Sequence, residues 1–321
     1  MLKQLRHTPP YSQQFRYTVL KEYDGWKIID LYLDRFSFRP KEYWEELMAV
    51  GDITVNDQNV PSDYTLKEKD IIITKRHDVT EPDVNPHYEI LYEQDGILIL
   101  NKPSPLPVHP AGRYYKNSLI YILREQNPET TFHTIHRLDT WTTGVLVMAT
   151  NKDKAKLLHK QVEKQEFEKE YGVLAIGDFG NDEFIIDEDV GRRNGIQRGF
   201  GPDITEAKNA LTKFVPITKN GDITFLKAYP LTGRTNQIRV HINAAGGHIL
   251  NDPLYSPKEN QERSPLSVVR GPSYKKTENE LRSTDNEFMG LHCYKMTFKI
   301  QKDQEAQTFT APWPKHFLQF V

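Results

Sequence analysis

The sequence predicts an α+β protein: a mixed, largely antiparallel sheet with packed helices, preceded by a small α/β module. Three observations lead there. Short apolar, often β-branched runs recur at 88–92, 97–100, 145–149, 171–176 and 224–231, each with the length of a strand. Helical patterns fall between some of these runs, but without the regular strand-helix alternation of a doubly wound parallel sheet. Finally, a turn-rich stretch near residue 81 separates this region from an earlier one with two helices and a hairpin.

Residues 1–26 are polar and aromatic, contain Pro9-Pro10 and show no period, so they read as an extended arm able to form an edge strand. A module over 27–80 follows. Ile28-Ile29 and Leu31-Tyr32-Leu33 have the apolar density of a helix start. A second helix has Pro40 in its first turn, Trp44, Leu47 and Met48 at helical spacing, and Gly51 at its C-terminal cap. Ile53-Thr54-Val55, the turn-forming Asn56-Asp57, Val60 and Ile71-Ile72-Ile73 complete a hairpin. Glu81-Pro82-Asp83-Val84-Asn85-Pro86 marks a linker at 81–87, after which residues 88–321 form the main domain.

In that domain the first two strands meet around Gln94-Asp95-Gly96. Asn117-Ser118 caps a helix with Leu119, Ile122 and Leu123 on one face, and Asn127-Pro128 stops it. The run Val145-Leu146-Val147-Met148-Ala149 reads as a core strand, and Gly144 permits a tight entry to it. A Lys-rich helix covers 154–165. Thr235 is expected to cap a helix that carries Ile238 and Ile242 inward and ends at Gly246-Gly247. Residues 256–289, polar and with several prolines, read as an exposed insertion.

Composition narrows the class. No apolar run is long enough to cross a bilayer and residues 1–8 lack a secretory apolar segment, so an intracellular protein is expected, cytoplasmic first, with nucleus or mitochondrion open. The single cysteine, Cys293, excludes an internal disulfide and a multi-cysteine zinc site. Lys plus Arg number 42 against 44 for Asp plus Glu, a net charge of -2. A nucleic-acid partner therefore requires positive charge concentrated locally, for which Lys75-Arg76-His77, Arg192-Arg193 with Arg198, and Lys275-Lys276 are candidates.

The most informative stretch is His136-Arg137-Leu138-Asp139-Thr140-Trp141-Thr142-Thr143-Gly144, which sets a carboxylate in a polar loop at the mouth of a buried strand. An aspartate so placed can cap a turn, pair with an arginine, or do chemistry. The stretch resembles the HRLD signature of the RluA-type pseudouridine synthases, and further blocks occur in the same order. Leu91 to Pro103, continuing to Pro107-Val108-His109-Pro110, is similar to that family's opening strand and loop. Glu168-Lys169-Glu170-Tyr171 resembles its K-x-Y block, and Leu231-Thr232-Gly233-Arg234-Thr235-Asn236-Gln237-Ile238-Arg239-Val240-His241 its G-R-T-H-Q-I-R-V-H block. Asn251-Asp252-Pro253-Leu254-Tyr255, Leu291-His292 and Ala311-Pro312-Trp313-Pro314 complete the match, which runs from about Tyr88 onward, roughly three quarters of the chain. Residues 26–75 resemble, more loosely, an S4-type RNA-binding module.

The resemblance implies a pseudouridine synthase fold, an RNA partner and an isomerisation that requires no cofactor or metal. It implies Asp139 as the carboxylate that attacks the sugar or the base, Arg239 as its cationic partner, and Tyr171 against the uracil face, assisting proton removal from C5. Arg137 would fill the space of the extruded base, and His136, Lys169, Arg234 and Ile238 would line the substrate site. Thr143, Asn236, Pro105 and Asn251 depart from the commoner serine, histidine and two glycines. The segment 107–117 is similar to the eukaryotic branch of the family, which favours transfer RNA over ribosomal RNA. A monomer is expected. Two competing readings remain: a glycosidase, with Glu166, Glu168 or Glu170 as a second carboxylate, and an RNA-binding protein without catalysis.

Overall fold

A computed structural model describes residues 4–36, 39–194, 197–257 and 288–321; the expected insertion at 256–289 lies almost wholly outside them. The chain forms two compact units, Thr8–Glu81 and the remainder from Pro82 onward, the latter joined by the segment up to His7.

The smaller unit contains strand β1 (Tyr11–Thr18), helices α1 (Ile28–Arg35) and α2 (Lys41–Ala49), and strands β2 (Ile53–Val55), β3 (Gln58–Asn59) and β4 (Ile71–Val79). Its antiparallel sheet has the order β1-β4-β2-β3. Asn56 and Asp57 both take left-handed conformations (φ 49° and 62°), the backbone that closes a two-residue hairpin. Gly51 (φ 81°) stands just past the end of α2, and Pro40 is the residue before its first turn. Ile28, Leu31, Tyr32, Trp44, Met48, Ile53, Leu66 and Ile72 make the core. Tyr11–Thr18 of the extended arm is an edge strand of this sheet, where Phe15, Arg16 and Tyr17 pair with Thr74, Ile73 and Ile72.

The larger unit continues with β5 (Glu89–Gln94), β6 (Ile97–Lys102), α3 (Leu119–Gln126), β7 (His133–Thr134), β8 (Thr143–Ala149), α4 (Lys152–Glu163) and β9 (Glu168–Ile176). After these come β10 (Phe184–Asp187), β11 (Val190–Asn194), β12 (Gln197–Gly199), β13 (Thr205–Lys208), β14 (Leu211–Asn220) and β15 (Ile223–Pro230). Helix α5 (Gln237–Ala244) and strands β16 (His248–Ile249), β17 (Leu291–Phe298) and β18 (Gln307–Thr310) complete it. The main sheet runs β10-β14-β15-β9-β17-β8-β6-β5, with β16, β18 and β7 paired at its margins. Among the described residues only β8 and β17 pair in parallel, so the sheet is mixed and largely antiparallel, as expected. No helix among the described residues is long and apolar enough to cross a membrane.

Residues 82–87 are not a free linker. Val84 is fully buried, bridges to Arg6, and is followed by an Asn85 amide bonded to Pro105. Between α4 and the sheet, Ala155, Leu158 and Gln161 face inward, while Lys152, Lys156 and Lys160 stay in solvent and Lys154 donates to the Ile300 carbonyl (3.1 Å). Asn151 caps this helix through its side chain, whereas Ser118 bonds back to the Tyr115 carbonyl and leaves α3 without a side-chain cap.

The centre of the sheet positions everything else. Strand β8 is fully buried from Gly144 to Ala149, as its apolar run requires, and lies between β17 and β6. At its entry Gly144 has φ 108°, and a Cβ there would meet the Cys293 carbonyl oxygen at 2.1 Å. Only glycine lets β8 and β17 approach so closely. Lys102, wholly buried at the end of β6, donates to the carbonyls of Pro103 (2.9 Å), Leu106 (2.7 Å) and Thr140 (3.3 Å). It thus ties the strand end to the loop that follows Asp139. Burial draws its pKa down to about 7, against the opposing pull of Asp139.

Gly144→Ala should cost about 3 kcal/mol of stability or more, from the clash and the positive φ together. Gly221→Ala, at a left-handed turn with open space around it, should cost only about 1 kcal/mol. Urea unfolding of both variants checks this, and equal losses would show that the β8–β17 contact is not the constraint.

Candidate active site

Asp139 sits in the loop between β7 and β8, where the Thr142 amide donates to its carbonyl and turns the chain. Its side chain is 22% exposed, at a cavity of about 270 Å³. Across that cavity lies α5, a helix with all six residues from Gln237 to Ile242 buried. A short helix buried all round is held by its neighbours more than by its own amphipathic face.

Gln237 shows how. Its amide oxygen accepts from the Thr232 hydroxyl (2.7 Å) and the Arg234 amide (2.9 Å), while its nitrogen donates to the Leu211 carbonyl (3.1 Å) and the Thr212 hydroxyl (2.9 Å). The loop at 232–234 is thereby fixed to β14. The expected cap at Thr235 is not formed: Asn236 is the N-cap, in a left-handed conformation (φ 58°) that asparagine tolerates better than threonine. Its side chain is engaged on both sides, accepting from Arg239 Nη1 (3.1 Å) and donating to the Tyr255 hydroxyl (3.3 Å).

Arg239 is the hub. Its Nη1 donates to Asp139 Oδ2 at 2.8 Å, and its Nε and Nη2 donate to Asp252 at 2.7 and 2.8 Å. The Asp252 side chain is completely buried and also accepts the amides of Leu254 and Tyr255. The Tyr255 ring lies 5.0 Å from the guanidinium carbon. Burial works against the arginine's charge, but Asp252 and then Asp139 more than compensate and raise its pKa. A planar guanidinium gripped this way offers its remaining edge to Asp139 at one fixed angle. Asn251, where the family more often has glycine, has φ 58°, so the turn that delivers Asp252 demands a residue at ease there.

Tyr171 and Lys169 enter from β9, two residues apart and hence on one face. Burial, then the neighbouring Cys293 and Asp139, push the Tyr171 phenol well above its ordinary pKa. Lys169 Nζ reaches the Thr232 carbonyl at 3.5 Å, and burial lowers its pKa. Glu170, between them, points the other way and is held by Lys227 (3.0 Å) and Lys295 (2.7 Å). His136 accepts the Val147 amide through Nε2 (3.0 Å), which puts its remaining proton on Nδ1. Burial, aided by Lys169, draws its pKa down to about 3, so the ring is neutral. Arg137 is exposed at the rim, and Arg234 donates to the Asn209 carbonyl at 2.8 Å.

All eight residues singled out from sequence, His136, Arg137, Asp139, Lys169, Tyr171, Arg234, Ile238 and Arg239, line this one cavity. Asp139 is the single carboxylate in its described lining; Glu166, Glu168 and Glu170 are absent from it. Asp252 and Gln237 were not picked out as site residues. Their only sequence signal was membership of matched blocks, since neither a buried ion pair nor an amide brace leaves a periodic trace.

The model of the RNA pseudouridylate synthase family matches residues 96–244. The chain is 32% identical over 265 residues to RNA pseudouridine synthase 7 of Oryza sativa subsp. japonica, a match covering 81% of this chain and 67% of that protein. It belongs to the RNA pseudouridylate synthase family. RNA pseudouridine synthase 7 of Arabidopsis thaliana is 34% identical over 258 residues, 78% of this chain and 65% of that protein. The mitochondrial tRNA pseudouridine(32) synthase of Saccharomyces cerevisiae is 31% identical, over 79% of this chain and 56% of that protein. The chain thus spans between 56% and 67% of the length of these relatives. The structure of human RNA Pseudouridylate Synthase Domain Containing 1 shares the fold, with a TM-score of 0.56 at 24% identity over 73% of this chain and 87% of that one.

In this family member the two aspartates that flank Arg239 should respond differently to removal. Asp252→Ala strands a buried guanidinium and is expected to cost about 3–5 kcal/mol. Asp139→Ala, at a partly exposed carboxylate with Asp252 still in place, should cost less than about 1.5 kcal/mol. Chemical denaturation of both gives the order, and a reversed order would show that Asp139 is the arginine's main anchor.

Proposed function

We propose that this chain isomerises uridine to pseudouridine in RNA, with transfer RNA as its substrate class. The observation that carries the reading is a single carboxylate, Asp139, facing the cavity and held by a buried arginine that is itself fixed by a second aspartate. The reaction breaks the N1–C1′ bond, forms the C5–C1′ bond and moves the C5 proton to N1, so nothing is gained or lost. Asp139 is the group at the reacting centre, attacking the sugar or the base, and Arg239 supplies a fixed positive charge beside it. Tyr171, kept protonated by its surroundings, serves first as a flat wall for the uracil ring. Arg137, free at the rim, takes the place of the uridine extruded from the RNA stack.

A glycosidase needs a second carboxylate across the bond, and the described lining offers none. Transfer RNA is favoured over ribosomal RNA because a yeast relative is named for position 32 of tRNA. The Thr8–Glu81 unit, two helices against a small sheet, serves as an S4-like module that contributes to RNA binding.

Position-resolved pseudouridine mapping of total RNA, from cells with and without the protein, tests the substrate class. One or more tRNA sites should vanish and return only with intact Asp139; a site lost from ribosomal RNA instead would overturn the tRNA assignment. With purified protein, Asp139→Asn should lower turnover at least about 1000-fold while RNA affinity stays within about threefold. Substantial turnover by this variant would remove Asp139 from the chemistry, and full rescue in cells by Asp139→Ala would favour a binding protein without catalysis.

A further inference from the structure

A second cavity, of about 340 Å³, lies within the Thr8–Glu81 unit, between α1, α2 and the β1–β4 face of the sheet. Its lining sets the aromatic side of this unit's own core beside a cationic rim. Phe15, Tyr17, Tyr32, Phe36, Tyr43 and Trp44 supply aromatic walls. Arg16, Arg35, Arg39 and Arg76 supply positive charge, and no carboxylate is present among the described lining residues. Overall the chain carries a net charge of -2, so four arginines around one cavity are a local departure from its composition.

The arginines are not buried structural cations, for all four are exposed. Two of them lie over tyrosine rings, Arg35 above Tyr17 at 4.1 Å and Arg39 above Tyr43 at 4.9 Å. Phe15 remains 40% exposed. Trp44, by contrast, is 7% exposed, and its indole N–H is buried without a partner among the described residues. The Tyr17 hydroxyl is in the same position. Neither atom reaches solvent, so the part of the lining open to a ligand is Phe15, Phe36 and the arginines.

We propose that this cavity holds one unpaired nucleotide of the RNA, its base stacked on the aromatic walls and its phosphate met by the arginines. The inference rests on the RNA substrate class proposed above. An aromatic platform with a cationic rim suits any base, because every base has a π face and every nucleotide a phosphate. The contact therefore adds affinity for exposed strands or loops without reading sequence.

The full chain is tested for binding of a labelled single-stranded uridine hexamer, with uridine monophosphate, uridine, inorganic phosphate and an acidic tyrosine-containing peptide as competitors. Uridine monophosphate should compete better than either of its parts. Phe15→Ala should weaken hexamer binding about tenfold, and Arg35→Ala with Arg76→Ala should flatten the salt dependence by about two in slope. Because these side chains are exposed, the thermal midpoint should not move. Unchanged binding in both variants, phosphate competing as well as the nucleotide, or preference for the peptide overturns the proposal. Pseudouridine formation at saturating RNA is followed in parallel: variants that bind weakly but turn over normally support the cavity. If wild-type protein makes no pseudouridine yet the hexamer responds to the variants, the enzymatic reading fails and the nucleotide site stands.

Discussion

The buried contact between Arg239 and Asp252 is the interaction from which the site hangs. One aspartate completely withdrawn from water holds the Nε and Nη2 edge of the guanidinium and leaves Nη1 to reach Asp139 and Asn236. Had Asp139 been the arginine's only partner, any shift of that carboxylate would leave the arginine in a cavity where it has no other charge to meet. With Asp252 in place the cation stays paired throughout, so the carboxylate at the cavity can change its bonding without loosening the helix behind it. Asn236 and Tyr255 brace the same group from its remaining sides.

A second constraint sets where Asp139 stands. The parallel contact of β8 with β17 passes through Gly144 and Cys293, and Lys102 ties the loop before it to the end of β6. Three strands thus converge on a loop only a few residues long. Precision at a carboxylate facing a cavity comes from such over-determination, since a site on rigid elements holds its geometry better than one on free loops.

Much of this was legible in the sequence because it was local. The β8 run, the Asp95-Gly96 and Asn56-Asp57 turns and the inward face of α5 all follow from patterns within a dozen residues. What lay hidden depended on distant partners. Residues 11–18 gave no period because their strand is satisfied by β4, some sixty residues on. The 82–87 stretch reads as a linker by composition, yet Val84 is buried against a bridge to Arg6. Thr235 has the chemistry of a cap, but the chain needs a left-handed residue one position later, and Asn236 stands there, its side chain turned to Arg239 and Tyr255 rather than to the helix end. At the site the same division holds: the eight lining residues came from matched blocks, while Asp252 and Gln237 act through contacts that no local pattern encodes.

The burial of Cys293 has a consequence for how the molecule can be handled. The chain's one thiol lies fully buried beside Tyr171, and burial pushes its pKa up to about 12. A thiol this protonated and enclosed is a poor target for oxidants or alkylating reagents, although it sits next to the cavity. The native chain is therefore chemically silent toward maleimides, and a cysteine placed at any surface position becomes a unique attachment point for a fluorophore or spin label, with the resident thiol left untouched.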